Sequence, residues 1–111
     1  MAIRKSKEKN FQIKGNLTEV IQKCKVALKK GNFTKIRLNE TKNQIIADYK
    51  KILVWGEIKI TLVENIEIVN INVVATANSK NLFALFSNPN EKILNQFKNK
   101  FFNFYNLFSF L

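Results

Sequence analysis

The chain contains no histidine. That absence removes the commonest general base, the commonest metal ligand and any Ser–His or Cys–His nucleophile pair. A single cysteine, Cys24, excludes an internal disulfide and cannot supply a thiolate cluster. With three glycines and one proline in 111 residues, there is no glycine-rich phosphate loop and no linker-like segment. Acidic residues are scarce, eight against nineteen Lys and Arg. No window approaches the ~18 apolar residues of a membrane span. The opening MAIRKSKEKN is charged and lacks an apolar run of signal-peptide length. These absences lead to the expectation of a cytoplasmic, non-enzymatic protein with no cofactor, no metal and no transmembrane segment.

What is present is ordinary for a folded domain: 46% hydrophobic, 24% charged and 12% aromatic residues. At this length residues 1–111 read as a single domain with one core. The net charge of +11 is unevenly placed, since fourteen of the nineteen basic residues fall in positions 1–51 against four acids there. A basic half of this kind attracts phosphate backbones or anionic surfaces. The plain alternative is solvated lysine, because the Lys-, Asn- and Ile-rich composition is what AT-rich codon usage produces.

Residues 1–9 read as a flexible basic leader. Phe11–Lys14 alternates apolar and polar residues, a short strand that Gly15 breaks. Asn16 is an N-cap, with Glu19 three residues on as in a capping box. The helix that follows, Leu17–Lys30, carries one apolar stripe of Leu17, Val20, Ile21, Cys24, Ala27 and Leu28, and Gly31 is its left-handed stop. Cys24 lies in that stripe and reads as a small core residue.

Four strands are then expected: Phe33–Asn39, Gln44–Lys50, Ile52–Val63 and Ile66–Ala77, the last two joined by a turn at Glu64-Asn65. Gly56 beside Trp55 suggests a bulge or close packing, and the slipped parity between Ile68 and Val69 suggests a second bulge. The alternation implies an antiparallel sheet with one buried and one wet face. The wet face would display Lys35, Arg37, Glu57, Lys59, Thr61, Asn70 and Asn72. Asn88-Pro89-Asn90-Glu91 opens a long amphipathic helix and aromatic tail over residues 89–111. The fold class is therefore α+β, an antiparallel sheet of about five strands in the order β-α-β-β-β-β-α with both helices packed on one face.

This order resembles one repeat of the TATA-box-binding-protein-like fold, and small uncharacterised bacterial domains built the same way. The likeness rests on FQIKGNLTEVIQKCKVALKKGNF, on Ile52–Ile60 around Trp55-Gly56-Glu57, and on TATANSKNLFALFSNPNEKIL. It covers most of the chain and implies an antiparallel sheet backed by two helices. It carries over no DNA-reading residue.

Two surfaces are candidates for function. Seven of the thirteen aromatic residues lie in the last fifteen positions. On a helical wheel Leu94, Phe97, Phe101, Phe104, Phe108 and Leu111 share a side, whereas Phe102, Leu107 and Phe110 fall off it. That is more apolar surface than one helix on one sheet buries. Phe102, Leu107, Phe108, Phe110 and Leu111 are accordingly the candidate surface for self-association, with a homo-oligomer expected, or for a small apolar ligand or a membrane surface. The second surface is basic. Arg4, Lys5, Lys7, Lys9, Lys23, Lys25, Lys29, Lys30, Lys35 and Arg37 are candidate phosphate contacts, with nucleic acid the alternative partner. Of the carboxylates, Glu57, Glu64 and Glu67 are the only pairing candidates, and a hairpin end is an ordinary place for solvated acids.

Overall fold

Period-two and period-3.6 patterns resolve into seven elements: β1 (Ser6–Lys14), α1 (Leu17–Lys30), β2 (Thr34–Asn39), β3 (Gln44–Lys50), β4 (Trp55–Asn65), β5 (Ile68–Ala77) and α2 (Pro89–Ser109). They belong to a computed structural model that describes residues 6–51, 55–77 and 89–109, with the side chains of α2 described through Phe102. The protein is α+β, with one five-stranded antiparallel sheet in the order β1-β5-β4-β3-β2. Strands β2 to β5 form a meander. β1 is set beside β5 instead of β2, so α1 carries the chain from one edge of the sheet to the other.

One parity of every strand points into the core. Ile45, Ala47 and Tyr49 of β3, Ile58, Ile60 and Leu62 of β4, and Val69, Ile71, Val73, Ala75 and Ala77 of β5 are buried. They form one cluster with Val20, Cys24, Ala27 and Leu28 of α1 and Ile93, Leu94, Phe97 and Phe101 of α2. Burying a single Leu, Ile or Phe side chain stabilises by about 1.5–3 kcal/mol, so this cluster dominates the favourable side of folding. On the other parity Asn10, Asn72, Thr61, Gln44 and Asn39 stand opposite one another across all five strands. Asn72 Nδ2 donates to Asn10 Oδ1 at 2.7 Å and to Glu8 Oε2 at 2.6 Å, and Gln44 Nε2 donates to Thr61 Oγ1 at 3.3 Å.

Several local expectations need correction. β1 begins at Ser6, not Phe11, so Lys7 and Lys9 belong to a strand instead of a frayed leader. Its nine residues pair continuously with β5, which supplies order that an all-polar stretch does not advertise. Neither expected bulge is present. The ladders run without a shift through Gly56 and through Ile68 and Val69. The chain turns at Ile66-Glu67, where Glu67 has φ 61° and Ile66 is 91% exposed. Gly56 instead answers to close packing: a Cβ there would lie 2.3 Å from the Thr76 carbonyl oxygen and 2.7 Å from the Ala77 Cα. The irregularity lies in β2, between Thr34 and Arg37, where Lys35 takes φ 51°.

The stop of α1 is also displaced by one residue. Gly31 has φ −82°, and Asn32, at φ 64°, takes the left-handed position. Phe33 N–H donates to the Leu28 carbonyl at 2.9 Å and Asn32 N–H to the Lys29 carbonyl at 3.1 Å. That pair of bonds is a Schellman closure with asparagine where glycine is more usual. The expected Asn88 cap and the connection containing Leu82–Phe86 lie outside the described residues.

Candidate functional site

The aromatic end of α2 meets the sheet at its β1 edge. Phe11 is on the inward parity of β1, opposite Ile71. Two rings of α2 converge on it: Phe101 at 5.6 Å and Phe102 at 5.0 Å between ring centroids, both tilted. Phe97 stacks on Phe101 at 5.4 Å, and Phe101 and Phe102 meet edge-on at 5.9 Å. Offset and tilted pairs of this kind add about 0.5–1.5 kcal/mol each beyond the area they bury. Phe101 is fully buried, whereas Phe11 and Phe102 are half-buried and pack against the core from its rim.

Phe102 was expected to be surplus to the sheet. It has a seat there, against Phe11, because successive helical residues point about 100° apart and an edge strand lies under the second direction. Phe11 is the residue that sequence reasoning missed, although its place in the apolar alternation of β1 was a usable signal. The side chains of Leu107 and Phe108, and all of Phe110 and Leu111, lie outside the described part of the chain.

The other helix is held by its ends. Glu19 N–H donates to Asn16 Oδ1 at 2.9 Å, the expected N-cap. Glu19 itself turns outward to Lys23, Oε1 to Nζ 2.9 Å. A second acceptor arrives from far along the chain: Leu17 N–H donates to Glu64 Oε2 at 2.8 Å. Glu64 thus satisfies an unpaired amide and sets a negative charge at the positive end of α1. Its place at the end of β4 is that of a capping group.

The described basic candidates are divided among β1, α1 and β2. Lys7 and Lys9 lie on β1, and Lys35 and Arg37 on β2, at opposite edges of the sheet. Four strand spacings put those edges about 19 Å apart. Lys23 is paired with Glu19, and Arg37 lies 3.5 Å from Asp48. Lys29 and Lys30 occupy the last turn of α1, where cations complement the helix dipole. Lys25 is half-buried on the same helix, and Arg4 and Lys5 lie outside the described residues. The outward parity of the sheet mixes Lys14, Lys50, Lys59 and Arg37 with Glu8, Glu57 and Asp48, so the positive excess is not concentrated there.

Cys24 is buried, and burial pushes its thiol well above its ordinary pKa, so it stays protonated. Among the described residues no group of three or more His, Cys, Asp or Glu is placed to hold a metal ion. No helix among them is long and apolar enough to cross a membrane. No protein-family model matches the chain, and no curated protein matches it.

Proposed function

We propose that the protein is an assembly module that self-associates through the aromatic end of α2, at the edge of the sheet where Phe11 and Phe102 meet. In this reading both helices back the inward face of the sheet. The support is that the buried residues of both share one cluster with that face. The same reading keeps the likeness to a TATA-box-binding-protein-like repeat at the level of architecture.

One observation carries the proposal. By Phe102 the helix has reached the edge strand, yet it continues for seven more residues, to Ser109. Those residues add about 10 Å of helix at 1.5 Å per residue. They include Phe104, Tyr105, Leu107 and Phe108, so the apolar sequence continues past the ring that meets the edge strand. An aromatic strip of that kind is stable in water when a second apolar surface meets it, and another copy of the same strip is the nearest such surface.

The test is the mass in solution of the full chain and of a form lacking Asn106–Leu111, measured by sedimentation across a concentration series. The full chain is expected to be an oligomer and the shortened form a folded monomer. A full chain that stays monomeric at high concentration sinks the reading.

A further inference from the structure

The two edges of the sheet are built differently. β2 is short, and its ladder with β3 is broken between Thr34 and Arg37 by the left-handed Lys35. A short, irregular edge of this kind discourages pairing with another strand. β1 keeps nine consecutive partners on β5 without a shift, and no described strand lies on its outer side. Lys7, Glu8, Lys9 and Lys14 make this edge charged as well, but its outward N–H and C=O groups form an unbroken template on which those charges can select the partner.

We propose that β1 pairs antiparallel with β1 of a second copy, continuing the sheet across a two-fold axis at Phe11, so that Glu8 of each chain meets the partner's Lys14. The proposal rests on the assembly reading above and names its interface. The charges on the strand select this register. A two-fold axis normal to the sheet keeps each side chain on its own face only if paired residue numbers sum to an even number. An axis at Glu8 or Lys9 sets like charges directly opposite, which destabilises. An axis at Asn10 leaves Glu8 facing glutamine, and one at Gln12 uses only the last five residues of the strand. With the axis at Phe11, Glu8 faces Lys14 twice and Asn10 faces Gln12 twice, with no like-charge pair. The register also continues the aromatic site. Phe11 carries the rings of Phe101 and Phe102 on the helix side, so the axis draws the aromatic ends of both α2 helices together.

The test exchanges the charges. E8K and K14E are each expected to weaken dimerisation by at least about tenfold, since each puts two like-charge pairs into the dimer. The double variant E8K/K14E restores it. Circular dichroism checks that each variant is folded. A second measurement does not depend on Glu8, which also accepts from Asn72: a mixture of N10C and Q12C chains should form a disulfide-linked dimer on mild oxidation much faster than either variant alone. If the dimer is lost on removing Asn106–Leu111 but is indifferent to both charge variants and gives no mixed disulfide, the edge pairing is overturned and the aromatic reading stands. A full-length chain that is monomeric overturns both. Capture of an unrelated extended peptide along β1, with no dimer, also overturns the proposal.

Discussion

The two helices are secured in opposite ways. α1 is closed at both ends by polar chemistry: Asn16 and Glu64 satisfy its first amides, and the bonds from Asn32 and Phe33 close its last carbonyls. Its length is set by those ends, and fourteen residues carry it across to β2. α2 is held mainly by its rings, with Asn90 Oδ1 in its first turn also accepting from Ala77 N–H. Ile93, Phe97 and Phe101 are fully buried, its last turn has no basic residue, and it continues for seven residues past Phe102. A helix whose ends are chemically stopped fits the surface beneath it. A helix anchored chiefly along its side can run past the surface that anchors it, and the proposed assembly surface is placed on that end of α2.

Three substitutions test this contrast. The largest effect is expected at the ring anchor of α2: Phe101→Ala removes a fully buried ring shared with Phe11, Phe97 and Phe102, and costs about 3–5 kcal/mol of stability. The denaturant midpoint measures it, and a shift equivalent to under about 1 kcal/mol would mean that α2 is not held by its rings. Next comes the end anchor of α1. Asn32→Ala forces an alanine into φ 64° and should cost about 1–2 kcal/mol, whereas Asn32→Gly should cost nothing or stabilise slightly. Equal losses for the two variants would show that the asparagine side chain, not its backbone conformation, closes the helix. The smallest effect belongs to Glu64→Gln, which keeps an acceptor for Leu17 N–H but removes the charge from the helix start. A loss of about 0.3–1 kcal/mol at low ionic strength that fades in concentrated salt is expected. A loss that salt leaves untouched would assign the role of Glu64 to hydrogen bonding alone.

The element order and the buried parity were legible because most strands have one apolar face, and period two survives in the sequence wherever that is so. The legibility fails where both faces are polar. Ser6–Asn10 reads as a leader because Lys7 and Lys9, on the inward parity, remain exposed at the edge. It fails in reverse at Ile66 and Ile68. Ile66 is an apolar residue in an exposed turn, and Ile68 lies on the outward parity, so together they imitate a bulge in an unbroken ladder. The bulge in β2 left no trace, since Lys35 is not a residue type that announces a positive φ. At the candidate site the aromatic excess of α2 was visible, but the seat for Phe102 was not. That seat depends on β1 lying under the helix, which only the strand order specifies. The bond from Leu17 to Glu64 joins residues 47 apart and has no local signature.

The strand order also sets a schedule. Ser6 lies opposite Thr76, 70 residues later, so β1 has no partner until β5 has been made. The meander of β2 to β5 closes through short turns, while joining β1 to it closes a loop whose entropic cost grows with length. Until that happens β5 is itself an edge, with Val69, Ile71 and Val73 along it. Ser6–Lys14 thus waits for Ile68–Ala77, and for that interval β5 stands open along one edge to whatever chain is nearest.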